Sequence, residues 1–119
     1  MRQAFVHDAV VTMEAGGDAR APGAAITVAL CGHWEHEPPC PLAPHRTDAH
    51  RSGDQVRLRV LFATEPVAEA GVRSRIEAAL SQPGLTGPDG ITTHWQLDSA
   101  QPSLLRNDEA QQAEQLIQR

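Results

Sequence analysis

Apolar side chains recur at every second position in several stretches of the chain, which is the period of a β-strand with one buried face. The clearest example is 55–63 (QVRLRVLFA), where Arg57 and Arg59 point to one face of the predicted strand. The opposite face carries Val56, Leu58, Val60 and Phe62. Weaker versions of this pattern, rich in Val, Ile and Phe, occur elsewhere. We therefore predict four strands, at 4–13, 24–34, 55–63 and 91–97.

A helical period replaces the alternation after the third of these strands. Apolar residues at i, i+4, i+7 and i+8 mark the face of a helix that packs on a sheet. These residues are Val72, Ile76, Ala79 and Leu80. Because Pro66 is tolerated in a first helical turn, the pattern predicts a helix over about 66–81. A second, polar helix is predicted over about 103–118, with buried contacts from Leu104, Leu105, Leu116 and Ile117.

Turn-forming residues separate these segments. A Gly, Asp and Pro loop is predicted at 15–23, and a long Pro/His/Cys loop at 35–54, where four prolines oppose regular structure. The predicted order is β-β-β-α-β-α, an α+β fold with an antiparallel sheet of about four strands and two helices on one face. A ferredoxin-like topology needs a helix between the first two strands. Only a Gly/Pro loop lies there, so that topology is not expected.

Length and charge narrow the classes of partner. With 119 residues, the chain is expected to form a single domain over 1–119. The formal charge is −5 and no basic stripe is present, so nucleic acid and anionic membranes are not expected as partners. The most apolar run is too short for a membrane span, and no signal peptide is recognisable. We expect a cytoplasmic protein whose cysteines stay reduced.

Metal-binding residue types concentrate between Cys31 and His50 (CGHWEHEPPCPLAPHRTDAH). This stretch contains both cysteines of the chain and four of its six histidines. Thiolate and imidazole together are typical ligands of zinc and copper. We therefore predict a transition-metal site, with zinc or copper as the cofactor. The candidate ligands are Cys31, His33, His36, Cys40 and His45.

The reasoning for each ligand rests on the predicted strand at 24–34. Residues i and i+2 of a strand share a face about 6.6 Å apart, so Cys31 and His33 are expected to reach one ion. Cys40 follows a Pro-Pro turn, and His36 and His45 lie on either side of it. The spacing, C-x-H-x2-H-x3-C-x4-H, is not that of a familiar zinc finger. Five candidates exceed a tetrahedral set, and His36 is the weakest of them.

Other interpretations of the same residues remain open. Cys31 can simply be a buried residue at a strand end, since free cysteine is among the most buried residue types. The two cysteines can also form a Cys31–Cys40 redox pair. In an enzyme, the metal would act as a Lewis acid, but no general base stands out and no catalytic residue is predicted. His50 lies in a hydrophilic run and is expected to be in solvent.

A metal-free function is the main alternative. If the strands are registered by their alternation, the sheet face that the helices leave uncovered carries Cys31, His33, Arg57, Arg59 and His94. Such a polar face suits a binding or regulatory module, or the interface of a homodimer. The metal-binding hypothesis requires the cysteines, whereas the metal-free hypothesis does not.

Overall fold

The computed structural model describes residues 1–31 and 43–118, except for the side chain of Cys31. The sheet strands are β1 (Gln3–Met13), β2 (His45–Ser52), β3 (Gln55–Thr64), β4 (Gly84–Thr86) and β5 (Thr92–Ser103). The α-helices are α1 (Ala21–Cys31), α2 (Glu69–Leu80) and α3 (Ala110–Ile117). Short 3-10 turns precede α2 and α3, at Pro66–Ala68 and Asn107–Glu109. The fold is α+β, as predicted.

All strands form one antiparallel sheet in the order β2-β3-β1-β5-β4. The alternation in β1 and β3 sends their side chains to two different layers. We call the side covered by α1 and α2 the helix face, and the other side the open face. The helix face holds the main core, where β1 and β3 pack against both helices. Its strand residues include Val11, Met13, Val56, Leu58, Val60 and Phe62.

The predictions for β1, β3 and α2 are confirmed. The four residues assigned to the buried face of α2 are all buried. The apolar residues predicted on one face of β3 are buried as well, namely Val56, Leu58, Val60 and Phe62. Trp95 is also buried, and its indole N–H donates to the carbonyl of Leu80 at 3.0 Å. In these segments the residues that pack on the helix face recur with a clear period, so the pattern alone is sufficient to assign the element.

The prediction of a strand at 24–34 is wrong as far as Cys31, because α1 occupies Ala21–Cys31. Its buried residues are Pro22, Ala25, Ile26 and Leu30, which follow the helical spacing i, i+3, i+4 and i+8. Because polar residues are almost absent from this segment, apolar residues also occur at every second position, which imitates the pattern of a strand. Alanine-rich composition and a proline in the first turn favour the helix.

The prediction of a loop over 35–54 is wrong for its second part. His45–Ser52 forms β2, which lies at the edge of the sheet and pairs with β3 along its whole length. The turn between them contains two residues, and Gly53 there has a φ of 64°, which glycine adopts without strain. The sequence of β2 is mostly polar because an edge strand exposes most of its side chains.

The C-terminal part also differs from the prediction. β5 extends to Ser103, well beyond the expected 91–97, and β4 adds a short fifth strand. β4 begins at Gly84, where an added Cβ would collide with the carbonyl oxygen of Thr93. The final helix is shorter than 103–118, and it packs on the open face rather than beside α2. Leu104 and Leu105 are exposed, whereas Leu116 is buried against Val6, Leu61 and Ala63.

These differences change the topology. α1 lies between β1 and β2. The four long strands (β1, β2, β3 and β5) together with α1 and α2 therefore follow the order β-α-β-β-α-β of a ferredoxin-like arrangement. The order β2-β3-β1-β5 of the long strands fits the same arrangement. The expectation that this topology is absent was therefore wrong, because it depended on the missing helix. Among the described residues, no helix has the length and apolarity that crossing a bilayer requires.

Candidate metal-binding region and polar groove

His45 is the predicted ligand whose side chain the structure describes. It is the first residue of β2, half-buried beside α1. Its Nε2 lies 3.1 Å from the hydroxyl of Thr27, and its Nδ1 lies 3.2 Å from the carbonyl oxygen of Ala43. Gly23, Thr27 and Thr47 line the adjoining cleft of about 420 Å³ between α1 and β2. A predicted donor is thus held between a helix and the chain that leads into β2.

The contacts of His45 define its proton positions. A carbonyl oxygen only accepts, so the contact with Ala43 requires a proton on Nδ1. In the neutral ring, Nε2 then carries the lone pair that can bind a metal ion. This is the arrangement of many metal-binding histidines, which donate the other ring N–H to a carbonyl group. The hydroxyl of Thr27 then has two acceptors at 3.1 Å, Nε2 of this ring and the carbonyl of Gly23, and it donates to one of them at a time.

The position of Cys31 relative to His45 follows from the helix. Cys31 is the last residue of α1 and comes one turn after Thr27. Along the helix, Gly23 lies near Thr47 and Thr27 contacts His45, so α1 and β2 run in opposite directions. One further helical turn brings the backbone of Cys31 to the level where the chain enters β2. The two flanks of the predicted donor segment therefore lie at the same end of the α1–β2 pair.

The remaining predicted ligands, His33, His36 and Cys40, lie outside the described residues, as does Trp34. Within 1–31 and 43–118, no three His, Cys, Asp or Glu side chains are close enough together to hold a metal ion. The i, i+2 argument that paired Cys31 with His33 no longer applies, because Cys31 ends a helix. His50 is exposed on the open face, in agreement with its expected place in solvent.

A second polar region lies on the open face, beside α3. It is a groove of about 750 Å³ that crosses β2, β3, β1 and β5. Three arginines and two aspartates are among the residues that line it. Its floor includes Arg57 and Arg59, as the alternation in β3 predicted, and Arg106, in the segment that leads into α3, also lines it. His94, which was expected on the same face, lies beyond the groove, with its Nδ1 3.6 Å from Glu14.

Arg59 is fully engaged in holding α3 to the sheet. Its guanidinium donates to both carboxylate oxygens of Glu109 at 2.7 Å and contacts both oxygens of Asp8 at 3.1 Å. It also donates to the carbonyl of Leu104 at 2.8 Å. These hydrogen bonds lower the pKa of Glu109 to about 2, chiefly through the donation from Arg59. Arg59 is thus a structural residue, although its sequence pattern placed it on an uncovered face.

His7 is a buried titratable residue on the helix face that the sequence did not single out. Arg73 donates to its Nδ1 at 3.0 Å, and Glu77 lies 3.0 Å from its Nε2, outside good hydrogen-bond geometry. Burial lowers the pKa of His7, which outweighs the opposing effect of Glu77. The arrangement favours a neutral ring protonated at Nε2. Arg73 also stacks over the Phe62 ring, 5.3 Å from its centroid, so the cluster secures α2 to the sheet.

Comparison of the chain with protein-family models, with curated proteins and with solved structures gives no match.

Proposed function

We propose that the protein binds a transition metal ion, zinc or copper, through the segment from Cys31 to His45. The ligands are drawn from Cys31, His33, His36, Cys40 and His45. The observation that carries the proposal is the pairing of His45 Nδ1 with the carbonyl of Ala43. This pairing orients the ring and leaves Nε2 as the electron-pair donor. The cytoplasm is the compartment we propose, because its reducing conditions keep both thiols available as ligands.

The arrangement of α1 and β2 supports the same proposal. Both flanks of the donor segment are fixed by regular structure, one by the end of a helix and the other by the start of a strand. Fixed flanks reduce the conformational entropy that metal binding has to overcome. A bound ion would in turn stabilise the connection between α1 and β2, since ligands that bind only the native state raise its stability.

Metal content tests the proposal directly. Protein purified without chelator or metal-affinity resin should contain about one zinc or copper ion per chain when measured by elemental mass spectrometry. His45→Ala should lower that content, because it removes a ligand with a fixed ring orientation. His50→Ala is the matched control: it lies on the same strand but projects from the open face. At a free-metal concentration of about 100 Kd, the wild type should gain about 2.7 kcal/mol in unfolding free energy.

Two outcomes would contradict the proposal. One is a metal content far below one ion per chain that does not recover when zinc or copper is added. The other is an equal loss of metal in His45→Ala and His50→Ala. Cys31→Ser and Cys40→Ser extend the test to the thiols, and each should reduce metal content without unfolding the apoprotein.

A further inference from the structure

We propose that the groove on the open face binds a small organic anion through a carboxylate or phosphate group held by Arg57. This site is independent of the proposed metal site, because His45 belongs to the helix face and the groove lies on the other side of the sheet. The argument rests on the partners of Arg57, on the groove's charge and on its dimensions.

Arg57 differs from the other arginines of the groove. Among the described residues, its guanidinium makes no hydrogen bond or ion pair, whereas Arg59 is saturated and Arg106 contacts Asp108 and Glu109 at 3.5 and 3.6 Å. The cross-strand neighbours of Arg57 are His50 and Val10, and neither supplies a carboxylate. The planar guanidinium can therefore offer two parallel N–H groups to an incoming anion.

The nearest carboxylates are already engaged. Asp8 is bound by Arg59 on one side of Arg57, and Asp48 lies 3.4 Å from Arg46 on the other. Neither is therefore free to compete fully with a ligand for Arg57. The lining of the groove contains three arginines against two aspartates, in a chain whose formal charge is −5. Arg59 and Arg106 are already paired with carboxylates, so among the described residues Arg57 is the arginine of the groove whose charge is not compensated. A single guanidinium of this kind suits one small anionic group.

The neighbouring side chains supply further hydrogen bonds. His50 stands directly opposite Arg57 on β2, and its ring carries at least one N–H in either protonation state. Gln101, across the groove on β5, pairs with Asp8 and adds an amide donor and acceptor. The two aspartates can accept from a hydroxyl or amine group of the ligand. A small hydroxylated or aminated acid, or its phosphate ester, fits this combination of donors and acceptors.

The dimensions also favour a small molecule. Adjacent strands lie about 4.8 Å apart, so a groove that crosses four strands spans about 14 Å. Its volume of about 750 Å³ falls within the range of typical ligand sites. Among the described residues, none of the large apolar side chains that are exposed lines the groove, so it offers no apolar anchor for a protein partner. These features make a small anion a better occupant than a second copy of the chain.

Ligand titration followed by NMR tests the inference. Inorganic phosphate and lactate are the two probes, each added to the full chain at constant ionic strength in chloride. We expect saturable shifts of the backbone amides of His50, Arg57 and Gln101. A tighter response to phosphate assigns a phosphate ligand, and a tighter response to lactate assigns a carboxylate.

Substitution of Arg57 tests whether this side chain holds the anion. Arg57→Gln should weaken binding by about tenfold or more, since a charge-assisted pair is lost. Arg57→Lys keeps the charge but loses the planar fork, so an intermediate affinity is expected. Arg75→Gln is the matched control: Arg75 lies on α2, away from the groove, and the described residues provide it with neither a hydrogen bond nor an ion pair.

Three results would overturn the inference. Shifts that stay linear with both probes would indicate weak nonspecific association rather than a site. Equal weakening by Arg57→Gln and Arg75→Gln would show that overall charge, not the groove, attracts the anion. A fall in molar mass from dimer to monomer in Arg57→Gln, with no probe binding in the wild type, would show that a second copy covers this face.

Discussion

Among individual side chains, arginines of similar sequence context have different roles. Arg57 and Arg59 lie two residues apart on β3 and face the same side of the sheet, so the alternation predicts the same environment for both. The fold brings Glu109 to Arg59, from 50 residues away, and leaves Arg57 facing the groove. The sequence therefore predicted the face of each side chain. Which arginine is structural depends on where α3 packs, and local periodicity carries no information about that.

The ion pair between Arg59 and Glu109 leads to a prediction of pH dependence. The pKa of Glu109 falls from 4.5 to about 2 in the folded state, so its contribution to stability is present above about pH 4.5. That contribution is lost as the pH falls towards 2, because the folded carboxylate then has to be protonated. Glu109→Gln should lower the unfolding free energy by about 2 kcal/mol at pH 7. It should also flatten the stability profile between these pH values, as measured by urea denaturation.

The control for this substitution is its exposed neighbour. Asp108→Asn removes a charge next to Glu109, but its side chain is 75% exposed and its contact with Arg106 is loose. We expect a change of at most about 0.5 kcal/mol, typical of surface positions. If both variants lost the same stability, the buried pair would not be the source of the pH dependence.

Among the helices and strands, the errors fall where local patterns are ambiguous. Ala21–Cys31 is apolar on nearly all sides, so both a period of two and a period of 3.6 can be fitted to it. β2 lacks an apolar face, and its pairing with β3 is made by backbone groups that no side-chain pattern reports. The dipeptide Gly53–Asp54 between two strands was a usable signal for this hairpin, since a glycine in first position is typical of a two-residue turn.

Glycine substitution tests the start of the observed helix α1, which lies where a loop was predicted at 15–23. Gly23 is the third residue of α1, and an added Cβ there would make ordinary contacts with Thr47 at 3.5 and 3.7 Å. Gly23→Ala should therefore raise the unfolding free energy by about 0.5–1 kcal/mol, because alanine favours a helix. Gly71→Ala, at the third position of α2 with no atom nearby, should show a similar gain in thermal denaturation. A loss of stability in Gly23→Ala alone would argue against a helix at 21–31.

For the chain as a whole, the sheet is covered on both sides, but unequally. α1 and α2 cover the helix face, whereas α3 covers only the end of the open face near Val6 and Leu61. The uncovered remainder of that face forms the groove. The position of α3 thus determines both the second, smaller core and the candidate anion site. It also explains why a prediction that placed both helices on one face missed the boundary of the groove.

Leu116 provides a test of this second core. It is buried against Val6, Leu61 and Ala63, so Leu116→Ala should cost about 2–4 kcal/mol in unfolding free energy. Leu104→Ala should change it by at most about 0.5 kcal/mol, since that side chain is 85% exposed. The sequence assigned buried contacts to both residues. Equal losses of stability in chemical denaturation would support that assignment and contradict the packing of α3 on the open face.

Local periodicity by itself determined the α+β class, the strands β1 and β3, the helix α2 and the buried residues of that helix. In these segments the residues that pack on the helix face recur with a regular period, so the pattern records that face directly. The concentration of cysteine and histidine also identified the donor-rich segment from Cys31 to His45, although the metal site there stays a prediction. Tertiary structure alone decided the ferredoxin-like strand order, the helix α1, the edge strand β2 and the covering of the open face by α3. These features arise from backbone pairing and from contacts between residues far apart in the chain, and neither leaves a periodic trace in the sequence.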